Sequence, residues 1–194
     1  MSAGRVEAFS DGVIAIIITI MVLELHIPAD ASFKSLLANV PLLLVYALSF
    51  LTVAIMWVNH HHYLKHARRV DPSLLWANNT VLFWMSLIPF ATRYLGQNLR
   101  APLPITVYAG VLVLCCVSFY WLISVLCNHN RNDQVVWAEF ERQRKKSGLT
   151  TFAYLACVGL ARVWPDLTLV VIVGLPLLYF IPDRNLVEKA PGDT

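Results

Sequence analysis

Long uninterrupted blocks of apolar residues constrain the fold of this 194-residue chain more than any other feature. The blocks run for roughly 15–25 residues each, the length that an α-helix needs to cross the hydrocarbon core of a bilayer. They make the chain 58% apolar and only 14% charged, whereas a soluble domain rarely exceeds about half apolar residues. We therefore expect an all-α integral membrane protein, with a single transmembrane domain over residues 1–194.

Six apolar segments are expected to form transmembrane helices. They cover residues 6–26, 38–62, 73–95, 103–128, 149–164 and 167–182. Prolines lie at most of their boundaries, where this residue starts or stops a helix. The last two segments are short and only VWPDL separates them, so a re-entrant hairpin is the alternative to two short or tilted spans. The acidic residues near the N-terminus and the lack of a small-residue cleavage site argue against a signal peptide.

Lysine and arginine are unevenly divided between the two sides of these six helices. With the N-terminus inside the cell, 11 of the 15 basic residues lie on the cytoplasmic side and 4 on the outer side. This bias predicts cytoplasmic N- and C-termini. The largest basic group lies in residues 131–148, where apolar and charged residues are interleaved. We expect there either an amphipathic helix at the cytoplasmic surface or a solvated basic loop.

Composition and motifs also argue against several other classes of protein. Basic loops beside anionic lipid account for the net charge of +3, so we predict no nucleic-acid partner. The four cysteines lie in apolar segments without C-x-x-C spacing, which predicts buried thiols and neither disulfides nor metal ligands. The sequence has no phosphate-binding loop, dinucleotide fingerprint or nucleophile elbow, so we expect no enzyme and no cofactor.

A carboxylate stands at the start of the first apolar helix, in RVEAFSDGVIAIIITIMVLEL (residues 5–25). Ser10 or Asp11 could cap the helix N-terminus. A helix from Asp11 to Leu25 would then be only roughly 22 Å long, short of the roughly 30 Å hydrocarbon core. A start near Arg5 restores the length and places Asp11 inside the helix. Asp11 would then need a partner, since an unpaired charge in a membrane is costly.

One face of the same helix carries a repeating pattern. Ile16, Thr19 or Ile20, Leu23 and Ile27 recur at spacings of three and four, so they share a face. Packing between helices is the ordinary explanation of such an apolar stripe. A lone threonine in a membrane helix usually bonds to its own backbone.

The start of the chain resembles the transmembrane protein 175 family, which comprises lysosomal potassium channels and shorter homologues in bacteria and archaea. Arg5, Phe9, Ser10 and Asp11 occupy the positions of the family signature, R-x-x-x-F-S-D. Thr19 follows eight residues after the aspartate, as it does in family members. An ionic motif that opens an apolar helix makes this signature specific.

The resemblance extends beyond the first helix. The segment WVNHHHYLKH (57–66) is similar to the end of the family's second helix, and NNTVLFWMSLIPFATRYLG (78–96) is similar to its third. The chain length and the six expected spans fit the single-repeat prokaryotic form. The fourth to sixth spans add little to the resemblance.

The resemblance implies a potassium channel that assembles as a homotetramer in the plasma membrane of a prokaryote, with helix 1 lining the pore. It implies that Ile16 forms a tight hydrophobic constriction, with Ile20 and Leu23 as further apolar layers. It implies that Thr19 forms a polar ring that contributes to selectivity. The expected partners are therefore other copies of the chain, membrane lipid and permeant potassium ions.

The resemblance also implies a structural network that braces helix 1 against its neighbours. Its members are expected to be Arg5, Phe9, Ser10, Asp11, Trp57, His60 and His61. In this interpretation Asp11 anchors the pore helix and is not itself the filter, and Arg5 is the expected counter-charge of Asp11.

The residues themselves are compatible with this interpretation. The chain lacks the T-V-G-Y-G carbonyl filter of ordinary potassium channels, and it lacks an arginine ladder for voltage sensing. If the chain conducts ions, selectivity must come from side chains. Because each chain has one copy of helix 1, a central pore requires a symmetric oligomer.

A histidine-rich stretch, NHHHYLKH, leaves two alternative functions open. His62 and His66 lie four residues apart, a spacing that can hold zinc, although no H-E-x-x-H motif is present. A membrane-embedded metal-dependent enzyme or redox protein that uses the cluster from His60 to His66 is therefore one alternative. A proton-coupled transporter that uses Asp11 as a relay is the other. Helix packing is the explanation we favour for these histidines, and they could also confer pH sensitivity.

Overall fold

The computed structural model describes residues 2–25 and 30–179, with side chains described as far as Pro176. These two ranges form eight α-helices and no β-strand, which confirms the all-α class. The helices are α1 (Ala3–Leu23), α2 (Phe33–Ala38), α3 (Val40–Lys65), α4 (Pro72–Met85), α5 (Ile88–Gln97), α6 (Pro102–His129), α7 (Gln134–Leu160) and α8 (Pro165–Tyr179). Ile27, and the ends of the first and last predicted spans, lie outside the described residues.

Four apolar stretches of helix are long enough to cross a membrane within the described part of the chain. They are α1, α3, α4 taken together with α5, and α6. These stretches overlap the first four predicted spans. The third is broken by a turn after Met85 because Pro89, one turn later, has no N–H to donate to the Met85 carbonyl.

The charged segment 131–148 and the fifth predicted span are largely one helix in the structure. α7 runs without a break from Gln134 to Leu160, so its charged half continues directly into its apolar half. The lysine, arginine, glutamate and glutamine residues of the first half are good helix formers, so nothing separates the two halves. After a turn over residues 161–163, α8 follows as a shorter apolar helix.

α6 lies at the centre of the helix packing. It packs most extensively against α7 and also contacts α4, α5 and α8. Its side chains Ile105, Leu112 and Leu122 are buried, and the four cysteines of the chain are buried free thiols, as predicted. Lipid tails are as apolar as leucine, so these helices are held together by close packing and by hydrogen bonds between them.

α3 and α5 approach each other closely at Gly96. A Cβ atom at this position would overlap the Leu42 side chain and would lie 3.3 Å from Leu42 Cα. Small residues at helix contacts allow such an approach between membrane helices. Gly96 therefore sets the spacing of two of the three helices on which α1 rests.

Asp71 determines where α4 begins. Its Oδ1 atom accepts hydrogen bonds from the Leu74 backbone N–H at 3.0 Å and from the Ser73 hydroxyl at 2.7 Å. These donors, the backbone one foremost, lower the pKa of Asp71 to about 2. Its Oδ2 atom lies 3.0 Å from His129 Nε2, so the cap also ties the start of α4 to the end of α6.

Candidate pore helix and its polar anchor

α1 has one face that packs against the rest of the chain. Its buried residues recur every three or four positions and face α3, α4 and α5; they are Val6, Ser10, Ile14, Ile17 and Met21. All but one of these residues are apolar. Ser10 brings a hydroxyl group into this interface with none of its surface exposed, so it must find its hydrogen-bond partners there.

Another face of α1 is left uncovered by the chain's own helices. Ile16, Ile20 and Leu23 expose 58%, 41% and 80% of their surface, and Thr19 is exposed as well. The four residues that the sequence indicates for the pore therefore share one continuous stripe, which we call the uncovered stripe. Inside a membrane this stripe can face lipid tails, an apolar surface of another chain or a narrow pore.

Thr19 makes the local hydrogen bond that is usual for a threonine in a membrane helix. Its hydroxyl donates to the carbonyl of Ile16 at 2.8 Å. The donated proton points back along the helix, so the lone pairs of the oxygen stay available on the exposed side. The self-bonded and ion-facing interpretations of Thr19 are therefore compatible with each other.

A chain of buried hydrogen bonds joins α1, α4 and α3. The Ser10 hydroxyl donates to the Val6 carbonyl at 2.8 Å and accepts from Asn78 Nδ2 at 3.0 Å. Asn78 Oδ1 in turn lies 2.7 Å from His60 Nε2. Because a carbonyl oxygen can only accept, Nε2 carries the proton of the His60 ring. Ser10, His60 and Asn78 are all buried.

Asp11 has a neutral partner on α3. The indole N–H of Trp57 donates to Asp11 Oδ1 at 2.8 Å. Together with the buried chain, this bond attaches the first half of α1 to two neighbouring helices. We call the five residues Ser10, Asp11, Trp57, His60 and Asn78 the polar anchor.

Two further polar contacts flank the polar anchor along α1. Glu7 Oε1 lies 2.7 Å from His61 Nδ1, which links the first turns of α1 to the end of α3. At the other end of α1, Arg93 Nη1 donates to Glu24 Oε2 at 2.7 Å, which links α1 to α5. Polar contacts therefore hold α1 near both of its ends.

Arg5 and Phe9 lie apart from the polar anchor. Both side chains are exposed, and no hydrogen bond or ion pair joins Arg5 to Asp11 within residues 2–25. Positions six residues apart on a helix differ by roughly 240° in direction, so Arg5 and Asp11 point to different sides of α1. Phe9, with 57% of its surface exposed, falls on the same side as the uncovered stripe.

The neighbouring histidines of α3 serve three different helices. His60 contacts Asn78 of α4, His61 contacts Glu7 of α1, and His62 Nε2 lies 3.1 Å from Glu139 of α7. His66 Nδ1 donates to the backbone carbonyl of His62. These rings act as separate contacts between helices and do not converge on a single ion.

Sequence reasoning did not identify Asn78 or Glu7 as members of these contacts. Asn78 belongs to an Asn–Asn pair inside an otherwise apolar span, and a buried amide in such a span needs partners. Glu7 precedes Asp11 by four residues, which places the two carboxylates on one side of α1. Both signals are present in the sequence and could have been used.

Comparisons with known proteins agree with this arrangement. A family described as "Endosomal/lysosomal potassium channel TMEM175" matches residues 5–89. A protein of Chryseobacterium sp. strain P1-3, named as a potassium channel, is 36% identical over 190 residues and covers 98% of each chain. The chain belongs to the TMEM175 family. A Streptomyces collinus member, also named as a potassium channel, is 36% identical, with 92% of this chain and 91% of that protein covered.

A solved structure agrees with the fold of this TMEM175 member. The crystal structure of a lysosomal potassium-selective channel TMEM175 homolog from Chamaesiphon minutus matches with a TM-score of 0.79 and 30% identity. The match covers 92% of this chain and 96% of that one. The human relative is named as an endosomal/lysosomal proton channel and is 32% identical, but the match covers only 53% of this chain and 23% of the human protein.

The family assignment confirms the resemblance that begins at the signature on α1. The matched region, residues 5–89, contains the whole uncovered stripe and the whole polar anchor. The relatives are ion channels and not enzymes, which agrees with the absence of catalytic motifs. The two relatives that match nearly the whole chain also extend the assignment over α6 to α8, where the sequence itself carries little family signal.

Proposed function

We propose that this chain is one subunit of a potassium-selective channel in the plasma membrane of a prokaryote, assembled as a homotetramer around a pore lined by α1. The bacterial relatives named as potassium channels support the permeant ion, because two of them match nearly the whole chain. The structural match to a potassium-selective channel supports it independently.

The uncovered stripe of α1 is the observation that carries this proposal. The chain's own helices leave this face open, so copies of α1 can meet along it, and the stripe includes the polar residue Thr19. Arg5 lies on the same side at the start of the helix, and a charged residue there favours a water-filled entrance over lipid. Since one helix lines only a fraction of a pore wall, several copies must converge on an axis, and closed symmetry is the usual solution.

In the proposed pore, each residue of the uncovered stripe has a distinct part. A ring of Ile16 side chains strips water from an ion without replacing it, so this ring forms the main barrier. A ring of Thr19 hydroxyls offers oxygen atoms to the partly dehydrated ion and favours potassium, which loses water more easily than sodium. Ile20 and Leu23 continue the apolar wall toward the outer end of the helix.

The proposed topology has six spans with both termini in the cytoplasm. α7 is roughly 40 Å long as a continuous helix, so its apolar half can enter the membrane while its charged half remains outside. α8 would return as the sixth span, with tilt or local thinning of the bilayer to compensate for its shortness. The division of 11 basic residues to one side and 4 to the other supports this orientation.

The alternatives from the histidine stretch and from Asp11 receive less support. A centre built from the cluster His60 to His66 would need several of these rings at one point, whereas His60, His61 and His62 contact three different helices. A proton relay would need titratable groups along the membrane path, whereas those nearest Asp11, which are Glu7 and His61, lie with it in the first half of α1 and at the end of α3.

Cross-linking tests the convergence of α1. Leu23→Cys, at the most exposed position of the uncovered stripe, should be joined between subunits by a short bifunctional thiol reagent. Leu44→Cys on α3 is the control, since this residue exposes a comparable 66% of its surface but lies on another helix. The native cysteines are buried and should react slowly. Equal cross-linking at both positions would contradict a pore lined by α1.

Conduction itself is tested with purified protein in planar bilayers. We expect unitary currents without any added substrate, with a reversal potential under potassium–sodium gradients that favours potassium. Native mass measurement should give four chains per complex. A stable monomer that still conducts would contradict the shared pore, and slow coupled flux without unitary events would favour a transporter.

A further inference from the structure

A second cluster of side chains lies where α1 meets the end of α3. Glu7, Asp11 and His61 each direct a ligand-type atom to one place, and these atoms all lie within 4.8 Å of one another. Within residues 2–25 and 30–176, this is the one group of three or more histidine, cysteine or acidic side chains that lie close enough together to share an ion. We propose that it is a binding site for a divalent transition-metal ion, with Zn²⁺ as the representative case.

The backbone positions these three residues well for such a site. Glu7 and Asp11 lie four residues apart, so their carboxylates stack on one side of α1. His61 reaches them from α3, so a bound ion would be held by two helices and not by one flexible segment. Residues on rigid helices hold ligand atoms more accurately than residues on loops do.

His61 and Glu7 already approach each other closely. Glu7 Oε1 is 2.7 Å from His61 Nδ1. Ligand atoms at about 2.0–2.2 Å from a tetrahedral zinc ion are roughly 3.3 Å apart, so the two side chains would separate slightly to admit the ion between them.

Asp11 already has the kind of outer contact that metal-binding carboxylates have. The Trp57 indole N–H holds Oδ1 at 2.8 Å, which leaves Oδ2 as the ligand atom and fixes its orientation. Hydrogen bonds of this type orient the ligands of a metal and increase its affinity. The same tryptophan therefore serves the polar anchor and the proposed site.

Charge also favours a cation at this place. Two carboxylates are brought together with a single imidazole, and Arg5 forms no ion pair with a residue of the described ranges. One nitrogen and two carboxylate oxygens suit zinc and similar metals better than calcium or magnesium, which prefer oxygen alone. All three side chains are partly exposed.

The site goes beyond the proposed channel function and does not lie in the proposed permeation path. At roughly 100° per residue, Glu7 and Asp11 point away from the side of α1 that carries Ile16 and Leu23. A bound ion would tie the start of the pore helix to α3 without touching a permeating ion. Conduction in zinc-free solution is measured separately, so failure of one proposal leaves the other testable.

Calorimetric titration of the purified full-length protein with ZnCl₂ tests the site. We expect one strong site per chain, weakened at least tenfold by Glu7→Gln, by Asp11→Asn and by His61→Asn, since even changes outside the ligand shell cost about tenfold or more. Asp11→Asn keeps an oxygen for the Trp57 bond, so its effect reports on the lost carboxylate. His66→Asn is the matched control and should bind zinc as the unmodified chain does.

Two further measurements keep the proposal testable if a variant folds poorly. Zinc should raise the thermal unfolding temperature of the unmodified protein, because a ligand that binds only the native state stabilises it. X-ray absorption at the zinc edge should show a mixed oxygen and nitrogen shell at about 2.0–2.2 Å. The proposal is overturned if the unmodified chain does not bind zinc, if His61→Asn binds it unchanged, or if the shell contains only histidine nitrogen.

Discussion

Asn78 is the residue whose replacement tests the polar anchor most directly. Its side chain bonds to Ser10 of α1 at 3.0 Å and to His60 of α3 at 2.7 Å, while it is itself 1% exposed. Asn78→Leu keeps the number and branching of the side-chain heavy atoms and removes both bonds. The buried N–H of His60 is then left without an acceptor.

The cost of Asn78→Leu follows from these contacts. Hydrogen bonds between membrane helices contribute about 0.6 kcal/mol each, so the loss of two costs about 1.2 kcal/mol. A buried donor left without a partner adds about 1–3 kcal/mol. We therefore expect the free energy of unfolding to fall by about 2–4 kcal/mol.

A second substitution, His60→Phe, distinguishes this explanation from a general loss of packing. Alone it should destabilise the protein, because it leaves Asn78 Oδ1 without its donor. Combined with Asn78→Leu it should restore about 1–3 kcal/mol, since two apolar residues facing each other leave no orphaned polar group. The edge-to-face contact of the ring with Phe119, with centroids 6.2 Å apart, can be kept by phenylalanine.

The assay is unfolding by SDS in mild detergent micelles, followed by the loss of helical circular dichroism. Asn79→Leu is the matched control, because Asn79 is the adjacent amide but is exposed, and it should change the stability little. If the effects of Asn78→Leu and His60→Phe simply add, within the usual error of about 0.3–0.5 kcal/mol, the bond between them does not stabilise the fold as argued.

Three other predictions follow from the structure. Thr19→Val keeps the shape of the side chain and should lower the potassium-to-sodium permeability ratio measured from bi-ionic reversal potentials. An unchanged ratio would show that Thr19 does not contribute to selectivity. Ile16→Asn should wet the constriction and raise the current. Gly96→Ala should destabilise the fold by about 1–3 kcal/mol in the same SDS assay, because its Cβ collides with Leu42, and Leu42→Ala in the same chain should recover most of this loss. The pKa of Asp71 is lowered to about 2, so its charged form stabilises the folded state above about pH 4, and this contribution is lost as the pH falls toward 2. The stability difference between the unmodified chain and Asp71→Asn should therefore shrink between about pH 4 and pH 2. A constant difference would contradict the capping role.

The membrane helices were predictable because length and apolar composition determine them almost alone. The first four spans depend on nothing more than enough apolar residues in a row. The uncovered stripe on α1 was predictable for a similar reason, since a spacing of three and four fixes which residues share a helix face. No knowledge of other helices enters either argument.

The partner of Asp11 could not be derived from the sequence of α1, although the family resemblance places Trp57 in the same network. Arg5 is near in sequence and opposite in charge, but six residues of helix turn it to another side of α1. Trp57 is far away in sequence and neutral, and it meets Asp11 only because α1 packs on α3. The packing of the whole chain decides which helix faces meet, and the local sequence of α1 alone does not determine this packing.

The continuity of α7 was obscured for a different physical reason. Its charged half is typical of water or the membrane surface and its apolar half of lipid, so the sequence pattern predicts a boundary between residues 148 and 149. Helix formation depends on the backbone and on local propensity, so a helix can cross from water into lipid without a break. The charged half is also attached to the bundle, through His62 to Glu139 and through Arg68 to Asp133.

The contacts of α1 are of two kinds, and they divide the helix into parts with different constraints. Hydrogen bonds and ion pairs, which have fixed directions, hold it near Asp11 and at Glu24. Between these points its contacts with the described part of the chain are apolar, through buried residues such as Ile14 and Ile17, and apolar contacts fix volume but not direction. Ile16 lies in this middle part, so the width of the proposed constriction depends on the volume of the side chains packed behind it as well as on its own.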